Sequence, residues 1–143
     1  MTALRVLLVD DEKDFTDTLA ERMAARGLQA DVCADGAEAL ELARSKTYDA
    51  VVLDLAMPGM DGIATLKGLL ANNPDLQVIL LTGRATLQQG LEAIKSGAME
   101  FLTKPPDIDR LIEKISEART KKERLTEQRI EKTLSEILRT KGW

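Results

Sequence analysis

Histidine is absent from this chain of 143 residues, and cysteine occurs once, at Cys33. The absence of histidine removes the commonest general base and a frequent metal ligand, so a bound metal should be a hard cation with oxygen ligands. A single cysteine cannot form a disulfide within the chain. We therefore interpret Cys33 as a small buried apolar residue, and we expect a reducing, cytoplasmic compartment.

Aromatic residues are also scarce, at 3% of the sequence, which leaves no platform on which the bases of a single-stranded nucleic acid would stack. The net charge is −4, and residues 1–106 hold 16 acidic and 10 basic side chains. Such a surface is poorly suited to phosphate backbones. No apolar stretch approaches the roughly 20 residues of a membrane-spanning helix. We therefore predict no direct nucleic-acid binding and no membrane insertion.

Short apolar segments alternate with amphipathic stretches along most of the chain. This alternation predicts an α/β protein with a doubly wound parallel sheet, because continuous apolar strands need cover on both faces. At this size we expect the flavodoxin-like (βα)5 arrangement with strand order 2-1-3-4-5. The predicted strands are residues 4–9, 29–33, 50–53, 77–81 and 100–102, and the predicted helices are residues 14–26, 37–45, 62–72 and 87–96, with a last helix from Ile108.

The last predicted helix is unusually long, because no proline or glycine occurs between Ile108 and Arg139. Fully helical, this segment would extend about 48 Å. We divide the chain into a domain at 1–120 and a helical extension at 121–143. The extension is interpreted as a dimerisation helix, a linker to an output domain outside this sequence, or a terminal helix lying on the domain. Two apolar sets, separated by polar residues, lie along this helix: Ile108, Leu111, Ile115 and Ala118, then Ile130, Leu134, Ile137 and Leu138.

Carboxylates follow two of the predicted strands, and a lysine follows a third. Asp10 and Asp11 end the first strand, Asp54 ends the third, and Lys104 ends the fifth. In the predicted order, the carboxyl ends of strands 1 and 3 meet at one edge. Two like charges about 5 Å apart repel by roughly 3 kcal/mol at an effective dielectric of 20, so a cation is expected among the acids. Mg²⁺ suits such carboxylate ligands.

An aspartate beside a bound Mg²⁺ has a specific chemical use. The Asp54 carboxylate can attack a phosphoryl group and form an acyl phosphate. The metal and Lys104 would neutralise charge on the transferred group. Thr82, at the end of the fourth strand, offers a hydroxyl on the same edge.

Four segments together carry a family resemblance. They are VDDE at 9–12, LDLAMPGMDG at 53–62, LTG at 81–83 and FLTKPP at 101–106. In this order and at these strand ends, they closely resemble the receiver domain of two-component response regulators. The resemblance covers about residues 3–120.

The resemblance implies a role for each matching residue. Asp54 is the expected phosphoacceptor, which takes phosphate from the histidine of a sensor kinase. Asp10, Asp11, Asp54 and the backbone carbonyl of Ala56 are the expected Mg²⁺ ligands.

The resemblance also implies a readout of phosphorylation. Lys104 would pair with Asp54 and then with the phosphoryl oxygens, and its bond to Pro105 is expected to be cis. Thr82 and Phe101 would form the switch pair, although many receivers have tyrosine where this chain has Phe101.

The expected partners are a sensor histidine kinase or a phosphotransfer protein and a downstream target protein. A second copy bound through the C-terminal helix is a further candidate partner. The chain is not expected to be an enzyme beyond its own phosphotransfer and dephosphorylation.

Three alternatives are weighed against this interpretation. A phosphatase of the haloacid dehalogenase type needs a second acid two residues after its nucleophile, where this chain has Ala56. A flavin-binding electron carrier needs a phosphate-friendly loop after strand 1, where this chain has acids. A receiver fragment of a DNA-binding or ATPase regulator remains open.

Overall fold

Five strands and five helices alternate in the computed structural model, which describes residues 2–56, 61–83 and 87–140. The strands are β1 (Arg5–Val9), β2 (Gln29–Cys33), β3 (Ala50–Leu53), β4 (Val78–Thr82) and β5 (Glu100–Thr103). The helices are α1 (Lys13–Ala25), α2 (Gly36–Ser45), α3 (Gly62–Asn72), α4 (Leu87–Lys95) and α5 (Ile108–Thr140). The predicted elements are confirmed, with boundaries that differ by a residue or two.

The strands form one parallel sheet in the order β2-β1-β3-β4-β5, which confirms the predicted flavodoxin-like topology. β1 lies between β2 and β3, and Val9 pairs with Cys33 on one side and with Leu53 on the other. The residues that follow Val9 and Leu53 therefore emerge side by side at the carboxyl edge of the sheet.

Helices cover both faces of the sheet, so alternate residues of one strand enter different cores. Leu7 and Val9 of β1 pack in a core that includes Ala39 of α2, Leu66 of α3 and Ala93 of α4. The opposite core joins the other side chains of β1, β3 and β4 to α1 and α5, through Val6, Leu8, Leu19, Met23, Val52, Ile79, Leu111 and Ile115. Burial on both faces explains why β1, β3 and β4 are almost continuously apolar.

Helix α5 has two parts with different surroundings. Its 33 residues extend about 50 Å. Leu111, Ile115 and Ala118 are fully buried against the sheet. The residues of the second apolar set remain about half exposed: Ile130 54%, Leu134 54%, Ile137 47% and Leu138 47%. In the described part of the chain, no helix is long and apolar enough to cross a membrane.

Two leucines on α5 give a matched test of this division. Leu111→Ala should lower the free energy of unfolding by about 3 kcal/mol, because it leaves a cavity in a packed core. Leu134→Ala removes the same atoms from an exposed site and should change it by less than about 0.5 kcal/mol. Urea denaturation followed by circular dichroism measures both. Equal losses in the two variants would contradict the described packing of α5.

Candidate functional site

Two buried carboxylates lie side by side at the carboxyl edge of the sheet. Asp10 and Asp54 directly follow β1 and β3 and are only 5% and 4% exposed. The Asp54 N–H donates to the carbonyl of Val9 at 3.0 Å, which continues the ladder between the two strands. The pairing of β1 with β3 therefore places both acids, as the sequence predicts.

Lys104, which follows β5, brings a cation between these acids. Its Nζ lies 2.5 Å from Oδ2 of Asp10 and 3.4 Å from Oδ2 of Asp54. It also donates to Oε1 of Glu12 at 3.3 Å and lies 4.4 Å from the centroid of the Phe15 ring. Its side chain is only 12% exposed. The one ammonium is thus shared among three carboxylates.

The cleft holds three carboxylates around one ammonium, and the pKa shifts of Asp10 and Lys104 reflect both burial and this excess of negative charge. Burial raises the pKa of Asp10, and the charge of Asp54 raises it further, whereas the hydrogen bond from Lys104 opposes the change. Burial lowers the pKa of Lys104, but its hydrogen bond to Asp10 and the charges of Asp10 and Asp54 outweigh burial, so the net shift is upward. Both shifts favour a bound proton, and an added cation would relieve the same imbalance.

One oxygen from each of Asp10, Glu12 and Asp54 lies within 4.8 Å of the other two, close enough to hold one metal ion. Sequence reasoning missed Glu12 as a candidate ligand, although it is the third acid of the same run. It occupies the N-cap position of α1 and reaches back toward Lys104. Asp11 is exposed and lines the cleft, outside the converging group. Its role as a ligand therefore stays a prediction.

The remaining predicted residues lie around the same cleft. The Ala56 N–H donates to Oδ1 of Asp54 at 3.0 Å, while the role of the Ala56 carbonyl stays a prediction. Thr82 is buried and lines the cleft. The Lys104–Pro105 peptide bond is cis, as the resemblance implies. Residues 57–60, which belong to the second motif, lie outside the described residues.

Phe101 lies behind this cleft, on β5. Its side chain is half-buried and packs against the core under α4. A Cβ built on Gly90 would lie 3.1 Å from its ring, so the absence of a side chain at Gly90 lets α4 approach Phe101 closely. The expected switching of Phe101 stays a prediction.

Comparison with known proteins places this arrangement in a family. Residues 6–116 match the family model described as the response regulator receiver domain. The chain is 37% identical over 113 residues to the transcriptional regulatory protein ZraR of Klebsiella oxytoca, covering 79% of this chain and 26% of that protein. It is 38% identical over 113 residues to the DNA-binding transcriptional regulator NtrC of Escherichia coli, covering 79% and 24% respectively. The chain therefore spans about a quarter of the length of these curated relatives.

Solved structures agree with the fold. The receiver domain of Francisella response regulator 1452 matches with a TM-score of 0.74 and 35% identity, over 82% of this chain and 97% of that one. A receiver domain protein from Methanospirillum hungatei matches with a TM-score of 0.80 and 25% identity, over 86% and 98%.

Removal of Lys104 tests the charge balance in the cleft. In metal-free buffer at neutral pH, Lys104→Gln should lower the free energy of unfolding by roughly 3 kcal/mol, because it leaves buried carboxylates without a cation. Lys46→Gln is the matched control. It removes a lysine from an exposed pair, 3.2 Å from Asp31, and should cost less than about 1 kcal/mol.

The same variant should show a characteristic pH dependence. A carboxyl whose pKa is raised in the folded state stabilises that state progressively less as pH rises. The deficit of Lys104→Gln should therefore shrink as pH falls, because Asp10, whose pKa is raised by burial, then takes up a proton. Urea denaturation in EDTA at several pH values measures this, and a loss no larger than that of the control would disprove the bridging role.

Proposed function

Because this chain belongs to the response regulator receiver family, we propose that it is the phosphoacceptor of a two-component system in which Asp54 takes phosphate from the histidine of a sensor kinase. The observation that carries the proposal is the setting of Asp54. Its carboxylate is buried at the strand end, with Oδ1 held by the Ala56 N–H and Oδ2 beside Lys104. A carboxylate fixed in this way is prepared for nucleophilic attack.

The carboxylate oxygens of the cleft fit Mg²⁺, which prefers hard oxygen ligands. Asp10, Glu12 and Asp54 would hold the ion, and Asp11 and the carbonyl of Ala56 are further candidate ligands. When bound, Mg²⁺ supplies positive charge that offsets the negative charge of the carboxylates and of the phosphoryl oxygens.

The side chains of this chain perform the transfer by position and charge. A carboxylate oxygen of Asp54 forms a bond to phosphorus as the bond from phosphorus to the histidine nitrogen breaks, and the nitrogen keeps the electron pair. Lys104 already lies between Asp10 and Asp54, so its ammonium is close enough to contact a phosphoryl oxygen on Asp54. The hydroxyl of Thr82 lines the same cleft and is the candidate second donor.

The readout is a change in the surface around α4 and β5. Thr82 lines the cleft. Phe101 lies on the neighbouring strand β5, with its ring against Gly90 of α4. Movement of Thr82 toward a phosphoryl group would alter the space available to Phe101 and shift the population between two surface states. Leu91 and Ile94 on α4 are 54% and 43% exposed and would contact a downstream target protein.

We keep the regulatory interpretation over a hydrolytic one. An aspartyl-phosphate phosphatase uses an acid two residues after its nucleophile, and the methyl group of Ala56 cannot transfer a proton. The chain is proposed to act in the cytoplasm and to catalyse nothing beyond its own phosphotransfer and dephosphorylation. Its relatives are transcriptional regulators. In a regulator of that kind, the receiver would control the activity of an output domain that acts on DNA or on other proteins.

Acetyl phosphate provides a direct test of Asp54. With Mg²⁺, the native chain should gain the mass of one phosphoryl group, and Asp54→Asn should gain none, because the amide is not a nucleophile of this kind. Asp107→Asn, which changes an exposed aspartate outside the cleft, should be labelled like the native chain. Intact-mass spectrometry measures all three. Equal labelling of Asp54→Asn and the native chain would remove Asp54 from its role.

The extension supports a second proposal, that of a homodimer. Its exposed apolar side chains at 130, 134, 137 and 138 have the spacing of a helix-pairing stripe. The described residues leave these four side chains about half exposed. A second copy would present the same stripe and could cover it. Fewer than two heptads would pair, which favours a weak, concentration-dependent dimer.

A charge in the stripe should prevent this pairing. Leu134→Glu should lower the light-scattering molar mass at high protein concentration toward that of the monomer, because a buried unpaired carboxylate disfavours association. Leu91→Glu places the same charge on an equally exposed leucine of α4 and should leave the mass unchanged. The comparison is made with and without acetyl phosphate. A native chain that is monomeric in both conditions would exclude the dimer.

A further inference from the structure

Helix α5 carries a row of polar side chains where its buried apolar face ends. Arg119, Lys122, Thr126 and Arg129 are spaced by three, four and three residues, so they share one face of the helix. In the sequence this stretch reads only as a polar interruption between two apolar sets. In the structure it faces the edge of the sheet opposite to Asp54.

The first two residues of this row bind the segments that precede β1 and β3. Arg119 contacts both carboxylate oxygens of Asp49, at 3.0 and 2.9 Å, and also donates to the carbonyls of residues 2 and 3 at 2.7 and 2.6 Å. Lys122 donates to the carbonyl of Tyr48 at 2.6 Å. The Arg119–Asp49 pair is 17% and 18% exposed, so water screens it only in part.

The last two residues bind the segment that precedes β4. Arg129 contacts both oxygens of Asp75, at 2.6 and 3.2 Å, and Thr126 donates to Oδ2 of Asp75 at 3.1 Å. The side chain of Asp75 is 9% exposed. Its pKa is lowered by the hydrogen bond from Arg129, which outweighs the effect of burial, so the carboxylate stays charged in the folded state.

We name these four side chains and their acceptors the polar seam. Residues 119 and 129 are about 15 Å apart along the helix axis, and the seam binds three separate segments of the sheet edge over that length. A helix held at one point can pivot, whereas a helix held at both ends of such a length cannot. An unattached helix of this size would also fray in water.

We propose that the polar seam makes residues 121–140 a rigid arm of the receiver, which presents the apolar stripe at 130–138 in one fixed direction. The stripe is rotated by roughly a quarter turn from the seam, because successive residues differ by about 100°. The stripe is therefore held clear of the domain. The proposal rests on the proposed function only for its use, since a rigid arm holds the stripe in one orientation for pairing with a second copy.

Distance measurements between spin labels test the rigidity of the arm directly. Labels are placed at Lys67→Cys on α3 and Lys132→Cys on the arm, in a Cys33→Ser background, and both of these lysines are exposed. The labelled chain is diluted with unlabelled chain, so that only distances within one molecule are measured. The native arm should give one narrow distance distribution.

Removal of seam contacts should broaden that distribution. Lys122→Gln with Arg129→Gln should at least double its width, and amide hydrogen exchange in residues 123–134 should quicken by about tenfold. Lys121→Gln with Arg124→Gln is the matched control. It removes the same charges from the same stretch, where neither side chain has an ion pair or hydrogen bond among the described residues, and should change neither quantity.

Two results would overturn the proposal: a native distance distribution as broad as that of the seam variant, or equal widths in the seam variant and the control.

Acetyl phosphate labelling of the same samples distinguishes failure of the rigid arm from failure of the phosphoacceptor function. Labelling at Asp54 should be normal in all of them, because the seam lies at the opposite edge of the sheet. Loss of labelling in the native chain would count against the phosphoacceptor function and leave the rigid arm intact.

Discussion

The site depends on the charge interaction of Lys104 with Asp10 and Asp54. Two buried carboxylates beside each other repel strongly in a low-dielectric setting, and their burial is tolerable only with a cation between them. The sheet brings the two carboxylates together, because Val9 pairs with Leu53 and the acids directly follow these residues. The sheet also places the neutralising cation, because Lys104 follows β5 at the same edge. A site held in this balance responds to any added charge, whether Mg²⁺ or a phosphoryl group.

Sequence reasoning predicted the parts of this arrangement that follow from strand order. The apolar strands predict the sheet topology. The residue that directly follows each strand then predicts that Asp10, Asp54 and Lys104 lie at one edge of the sheet. Glu12 was missed because its contact depends on how the chain turns into α1, which strand periodicity does not encode. The polar seam was missed for a related reason. Its acceptors Asp49 and Asp75 lie 70 and 54 residues before their arginines, and nothing local in the sequence links them.

Both edges of the sheet contain buried or partly buried carboxylates, but their charges are neutralised differently at the two edges. At the carboxyl edge, one lysine serves three acids, and the cleft keeps an excess of negative charge. At the amino edge, each of Asp49 and Asp75 has its own arginine with contacts to both oxygens, so both acids are fully paired. Paired charges hold one geometry, whereas an unbalanced cluster binds further cations. The first edge is thus suited to chemistry and the second to attachment.

Helix α5 connects these two edges. It begins at Ile108, only four residues after Lys104, and reaches the seam after crossing the core through Leu111, Ile115 and Ala118. Packed interiors resist continuous deformation, so the buried part of α5 keeps one position on the sheet. The seam adds a second attachment at the amino edge, which prevents the helix from pivoting on that core. The apolar stripe at 130–138 therefore keeps one direction relative to the sheet, although it lies beyond the core that holds the helix.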